Sequence, residues 1–152
     1  MFSLSAAGQT KITSDDLKTI IGNWEGSITY LDYQTNKPFT MPANLMVKPG
    51  KNENQLVLNN TYPNEPKANG SDKIKITKNG LRLNKNVVTS RTGLENGGLQ
   101  IQTEHEAKDD RKKALIRYSY IIGSDLFVIR KEVKFEKAGN WIKRSEYKYH
   151  RK

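Results

Sequence analysis

The chain has 152 residues, no cysteine, and a formal net charge of +10 from 26 basic and 16 acidic residues. The missing thiols exclude a disulfide framework, thiolate metal sites and a cysteine nucleophile, and no stretch approaches the roughly 18 apolar residues of a membrane-spanning helix. The length fits one domain with one core, and that core is lean, because only 35% of residues are hydrophobic.

The opening Met1-Phe2-Ser3-Leu4-Ser5-Ala6-Ala7-Gly8-Gln9 is small and apolar and lacks a basic start. Residues 1–12 therefore read as a flexible terminus or the remnant of a trimmed signal peptide, and residues 13–152 as the folded domain. The signal-peptide option fits a secreted or periplasmic protein. Thr13-Ser14-Asp15-Asp16 then supplies hydroxyl and carboxylate groups at the positive end of a short helix. Leu17, Ile20 and Ile21 form its apolar side, and Gly22 is expected to end it.

Everything after Gly22 has the rhythm of strands separated by Gly, Asn, Pro and Asp. A first strand runs from Trp24 to Tyr33 and a second from Pro38 to Val47. Leu56, Leu58, Asn60 and Tyr62 alternate along a third, which Pro63 closes because proline cannot donate to a ladder. The polar, proline-broken segment 62–70 suits a mobile loop at a barrel mouth. Ile74 and Ile76 mark a fourth strand, and Lys78-Asn79-Gly80 is a tight hairpin signal. Leu81, Leu83, Val87 and Thr89 share one face of a fifth.

Beyond the loop 93–98, Leu99, Ile101 and Thr103 alternate with Gln100, Gln102 and Glu104 in a half-buried sixth strand. Lys108 to Arg111 form a polar turn. Ala114, Ile116, Tyr118, Tyr120 and Ile122 share the bulkier, inner face of the seventh strand. Phe127, Ile129, Val133 and Phe135 do the same in the eighth, and Trp141, Tyr147 and Tyr149 lie on one side of the ninth. Nine or ten consecutive strands with short connections imply an all-β, up-and-down antiparallel sheet, and closure into a barrel removes its exposed edges. A two-sheet sandwich is the alternative.

Gly22-Asn23-Trp24, between a short helix and the first strand, resembles the Gly-x-Trp signature of lipocalins and their calycin relatives. The longer Gly22-x-Trp24-x-Gly26 is similar to the start of nitrobindin-like haem barrels. The resemblance implies that the helix closes one barrel end, with Gly22 and Trp24 packed there. It also implies that a late-strand cation, Arg144 or Arg151, lies across the Trp24 ring; Arg144 is the one assigned. No long helix follows the last strand, and the other short lipocalin motifs are missing.

Candidate chemistry is sparse. His105 and His150 are the only imidazoles, and the nitrobindin-like resemblance would place a haem ligand at His150. In Glu104-His105-Glu106 the strand alternation turns both carboxylates away from the imidazole. Because no nucleophile elbow, phosphate-cradling loop or dinucleotide fingerprint is present, the expectation is a protein that is not an enzyme and carries no cofactor or metal. Tyrosines that share inner faces suit a pocket with apolar walls and fixed hydroxyls. With Arg91 they make the candidate ligand-binding set: Tyr30, Tyr62, Arg91, Tyr118, Tyr120 and Tyr147. Arg117, Arg130, Glu132, Arg144 and Glu146 form ion pairs if they face outward and line the barrel if the register is reversed.

The leading functional expectation is a monomer or weak dimer that binds a small, partly apolar molecule, with an anionic group as an option. Residues 108–152 carry 14 Lys and Arg against 6 Asp and Glu. Nucleic-acid or anionic-surface binding through these basic strands is therefore the second hypothesis, and a haem protein is the third.

Overall fold

The computed structural model describes residues 10–137 and 139–152, so the expectation for residues 1–9 lies outside the described residues. Among the described residues, ten antiparallel strands close into a single barrel in which β1 pairs with both β2 and β10. The strands are β1 Gly22–Asp32, β2 Lys37–Pro49, β3 Gln55–Thr61, β4 Gly70–Thr77, β5 Arg82–Leu83, β6 Asn86–Gly93, β7 Leu99–Asp109, β8 Lys112–Ile122, β9 Leu126–Phe135 and β10 Ile142–Arg151. Each pairs with its neighbour in the chain, the topology that short connections demand. The barrel thus replaces the sandwich alternative.

Helix α1 covers Ser14–Lys18. Its start is fixed by the Asp16 carboxylate, which accepts from the Thr13 N–H at 3.0 Å. The helix stops at Lys18, and Gly22 opens β1 at φ 134 instead of capping the helix. Ile12 also belongs to the fold: it is buried, and its N–H donates to the Gly80 carbonyl at 3.0 Å. Ile12, Leu17 and Ile20 cover one end of the barrel together with Trp24. The opposite end carries the loop after β3, whose residues Pro66–Ala68 make a 3-10 turn.

The inner faces follow the alternation in the sequence. Leu45, Val47, Leu56, Leu58, Ile74, Ile76, Ile101, Ile116, Tyr120, Ile122, Phe127, Val133 and Tyr149 are all buried. Burying each such aliphatic side chain contributes about 1.5–3 kcal/mol against its entropy cost.

Two places depart from the expected pattern. The fifth strand is in fact two, because Asn84 and Lys85, at φ 50 and 72, make a two-residue turn that folds β6 back on β5. That pair of positive φ values belongs to a hairpin turn that usually carries Gly second, and here Lys stands in its place. Val87 and Thr89 consequently face solvent while Val88 is buried. The connection from β4 to β5 is a longer turn, in which Lys78, Asn79 and Gly80 all take positive φ, at 53, 56 and 91.

The second departure is a bulge in β10, where the register shifts between Lys143 and Ser145 and Arg144 is the extra residue. Before the bulge Ile142 pairs with the inward Val133; after it Ser145, Tyr147 and Tyr149 point inward. Trp141 therefore lies on the outer face, not with Tyr147 and Tyr149. The Arg117 guanidinium covers its ring at 4.0 Å.

The short β5–β6 hairpin also decides where the barrel is open. β5 pairs with β4 only at Ile76 and Thr77, and β6 pairs with β7 only as far as Glu104. Toward the end opposite α1, residues 70–74 of β4 and 105–109 of β7 face each other with no strand between them. The wall has a window there.

Candidate functional site

The window leads into an interior cavity of about 310 Å³, at the small end of the ligand-site range of roughly 300–1,000 Å³. Leu58, Ile74 and Ile129 supply its apolar wall; Tyr118, Tyr120, Tyr147 and Tyr149 supply rings; and Asn60, Asp72, Lys131 and Ser145 supply polar groups. The tyrosines are held in two stacked pairs, Tyr118 with Tyr120 at 6.3 Å and Tyr147 with Tyr149 at 5.7 Å between ring centroids. Each pair follows from the i, i+2 spacing on one face of a strand. The hydroxyls of Tyr62 and Tyr147 are 2.8 Å apart and share a hydrogen bond, and Tyr149 donates to Asn60 Oδ1 at 2.6 Å.

Burial is the leading cause that holds the Tyr118, Tyr120 and Tyr147 hydroxyls above the ordinary phenol range, and the nearby Asp72 carboxylate adds to it in all three. They therefore stay neutral and able to donate throughout the physiological range.

Of the six residues expected to bind a ligand, Tyr118, Tyr120 and Tyr147 line the cavity and Tyr62 buttresses Tyr147. Tyr30 shares the inner face of β1 but lies at the rim, against the half-exposed Phe39. Arg91 is elsewhere. It leaves the sheet at the α1 end and clamps Asp16 with two hydrogen bonds of 3.0 and 2.8 Å, which fastens the helix to β6.

Gly22 and Trp24 close the barrel as expected, but the cation over Trp24 is Arg151, 4.0 Å from the ring centroid. Arg144 lies seven residues earlier, near the start of β10 and so at the open end, where its guanidinium covers Tyr33 at 4.0 Å. There it joins a buried cluster around Asp109, which accepts from the Tyr33 hydroxyl and has Lys131 Nζ at 3.4 Å and Arg144 Nε at 3.7 Å.

The charges on the last strands take the outward register. Arg117 pairs with Glu132 at 3.0 Å and Arg130 with Glu146 at 2.7 Å, both across neighbouring strands on the outer face. Arg144 is not part of that ladder.

The two histidines separate completely. His150 lies on the outer face of β10 with its side chain 57% exposed, near Asp125. A haem inside the barrel would have no ligand from that position, so the residues do not fit the His150 arrangement. His105 faces inward and stacks on Tyr118, ring planes 5° apart, while Glu104 and Glu106 point out. Its Nδ1 and the neighbouring Thr103 Oγ1 are buried with no hydrogen-bond partner among the described residues.

Burial first, and then the Lys131 charge, hold the His105 imidazole below its ordinary range. The unfolded chain therefore takes up this proton before the folded one, and stability must fall as pH drops from about 6.5. In His105→Phe, which keeps the stack on Tyr118, the urea midpoint should fall less between about pH 7 and pH 5 than in the parent. An equal fall in both proteins would remove His105 from that pH dependence.

No family model matches the chain, and no curated protein does. Among solved structures, Rv2717c from M. tuberculosis superimposes with a TM-score of 0.53 at 11% identity, covering 94% of this chain and 99% of that one. A protein with unknown function of the DUF3598 family from Nostoc punctiforme gives a TM-score of 0.42 at 12% identity, with 96% of this chain covering 51% of that one. The first likeness shows a shared barrel fold.

Proposed function

We propose that the protein is a small-molecule-binding barrel of the lipocalin-like kind, with its ligand held in the tyrosine-lined cavity behind the window. One observation carries this: the interior is hollow where four tyrosine rings converge, and it opens through a wall that lacks strand between β4 and β7. A barrel whose side chains filled its interior would leave no such space. The helix-and-Trp24 plug supports the lipocalin-like assignment, because it closes one end of the barrel. The cavity size suits a compact ligand with an apolar body and one polar end.

The test is calorimetric titration with 3-phenylpropan-1-ol, a neutral probe small enough for the space. Saturable binding is expected, together with its loss in Ser145→Phe, whose ring would occupy the cavity. Absence of saturable binding at millimolar probe, or binding indifferent to Ser145→Phe, would end the proposal. Native mass spectrometry of the protein as recovered from cells adds a second check, since a bound natural ligand would appear as a fixed mass increment.

A further inference from the structure

Resting on the binding function just described, we infer that the cavity selects a cationic ligand, an amine carried on an apolar body, with Asp72 as its counter-ion and the tyrosine rings as its walls.

Asp72 is two residues before Ile74 and four before Ile76 on β4, so all three face the barrel interior, and its partner across the ladder is the inward Leu58. Because β5 reaches only Ile76 and Thr77, nothing covers this carboxylate, which is exposed at the edge of the window while lining the cavity. None of the ion pairs among the described residues includes Asp72. It is an unpaired negative charge at the mouth of an aromatic pocket.

The cations nearest to it are directed elsewhere. Lys131 comes from the inner face of β9, but its ammonium is directed to Asp109. Lys73 lines the rim from β4, and strand alternation turns its side chain outward. Arg117 and Arg130 are on the outer face, each committed to a glutamate. The effect of Asp72 on the Tyr118, Tyr120 and Tyr147 hydroxyls is of the same sign, and no cation offsets it at any of the three.

The chain as a whole is strongly basic, which would repel a cation at long range. At physiological ionic strength, however, charges beyond about 8 Å are largely screened, so the local carboxylate governs the mouth. Once inside, an ammonium meets aromatic faces and phenolic oxygens, the surroundings in which cation–π attraction adds to the ion pair. A carboxylate ligand would instead meet Asp72 with like charge and leave the tyrosine oxygens as poor partners.

Three probes of nearly equal shape decide it: 3-phenylpropan-1-amine, 3-phenylpropan-1-ol and 3-phenylpropanoate, titrated calorimetrically at neutral pH. The amine is expected to bind about tenfold tighter than the alcohol, and the carboxylate weakest. Asp72→Asn should bring the amine to the affinity that the alcohol has in the same variant, and Asp72→Lys should make the carboxylate the best of the three. Because Asp72 is exposed, both variants should keep the parent urea midpoint, which verifies their folding. Alcohol bound as well as amine, carboxylate bound best by the parent, or an amine preference that survives Asp72→Asn would each overturn the cation selectivity while leaving the binding function intact. Binding of none of the probes would overturn both.

Discussion

Trp24→Ala should destabilise the protein by roughly 3–5 kcal/mol, the range for truncating a large buried aromatic. Few single changes would matter more in a domain whose total stability is about 5–15 kcal/mol. The ring is 1% exposed and packs 5.9 Å from Phe127, and its indole N–H donates to the Ile20 carbonyl at 2.8 Å. Truncation therefore opens a cavity and also orphans a carbonyl at the end of the helical segment. Arg151 adds a third layer. Its guanidinium covers the ring while donating to Ile21, Thr19 and Ser124 carbonyls at 2.8, 2.5 and 3.1 Å.

Only the absence of a side chain at Gly22 leaves room for that group, since a Cβ there would come within 2.7 Å of a guanidinium nitrogen. Trp24, Arg151 and Gly22 thus act as one unit that joins β1 to β10 and anchors α1. Arg151→Lys keeps the charge but loses the three-way fork, and should cost about 1–2 kcal/mol. Urea denaturation followed by far-ultraviolet circular dichroism measures both. A Trp24→Ala midpoint within error of the parent would show that the plug contributes nothing to closure.

The residues of this plug were readable because Gly22-x-Trp24 sits at a helix-to-strand junction and Trp24 begins a period-two pattern. The identity of its cation was not. Arg144 and Arg151 are seven residues apart on one strand, about 23 Å, and only the register of β10 on β1, which sets Trp24 opposite Arg151, decides which of them lies at the plug. The face of Trp141 has a separate cause: no glycine marks the bulge between Lys143 and Ser145, which turns Trp141 away from the side of Tyr147 and Tyr149.

The other misplaced turn has the same origin. Asn84-Lys85 takes up two positive φ values without a glycine, whereas the more obvious Lys78-Asn79-Gly80 makes the longer connection. Missing that turn hid the window, and with it the importance of Asp72. The signal for Asp72 was present: it is in phase with Ile74 and Ile76. A carboxylate next to a polar loop is nevertheless easily assigned to solvent. Lys131, in phase with Ile129 and Val133, carried the same unused information. The cavity tyrosines were legible because large apolar residues alternate without interruption through Tyr118 and Tyr120.

Asp109→Ala is the second substitution expected to do serious damage, at roughly 2–4 kcal/mol. The carboxylate is 9% exposed and gathers Tyr33 from the β1–β2 turn, Lys131 from β9 and Arg144 from β10 at the open end. Removing one partner from a buried ionic group leaves the others desolvated and uncompensated, which costs about 3–5 kcal/mol in a fully dry site. The lower figure applies here because the Lys131 and Arg144 side chains remain 27% and 28% exposed and can recruit water.

Tyr33→Phe separates the ionic share from the rest. It deletes the hydroxyl that Asp109 accepts from but keeps the ring under the Arg144 guanidinium, so it should cost about 1 kcal/mol. If the two variants were equally destabilised, the carboxylate's value would lie in its bond to Tyr33 and not in its two cations. The loss of Asp109 also has a consequence inside the barrel. Lys131 lines the cavity and is drawn away from Asp72 only by Asp109, so in Asp109→Ala its ammonium is free to turn toward the window. Affinity for 3-phenylpropan-1-amine should then fall while that for the alcohol holds, a change that loss of stability alone would not produce in the remaining folded protein.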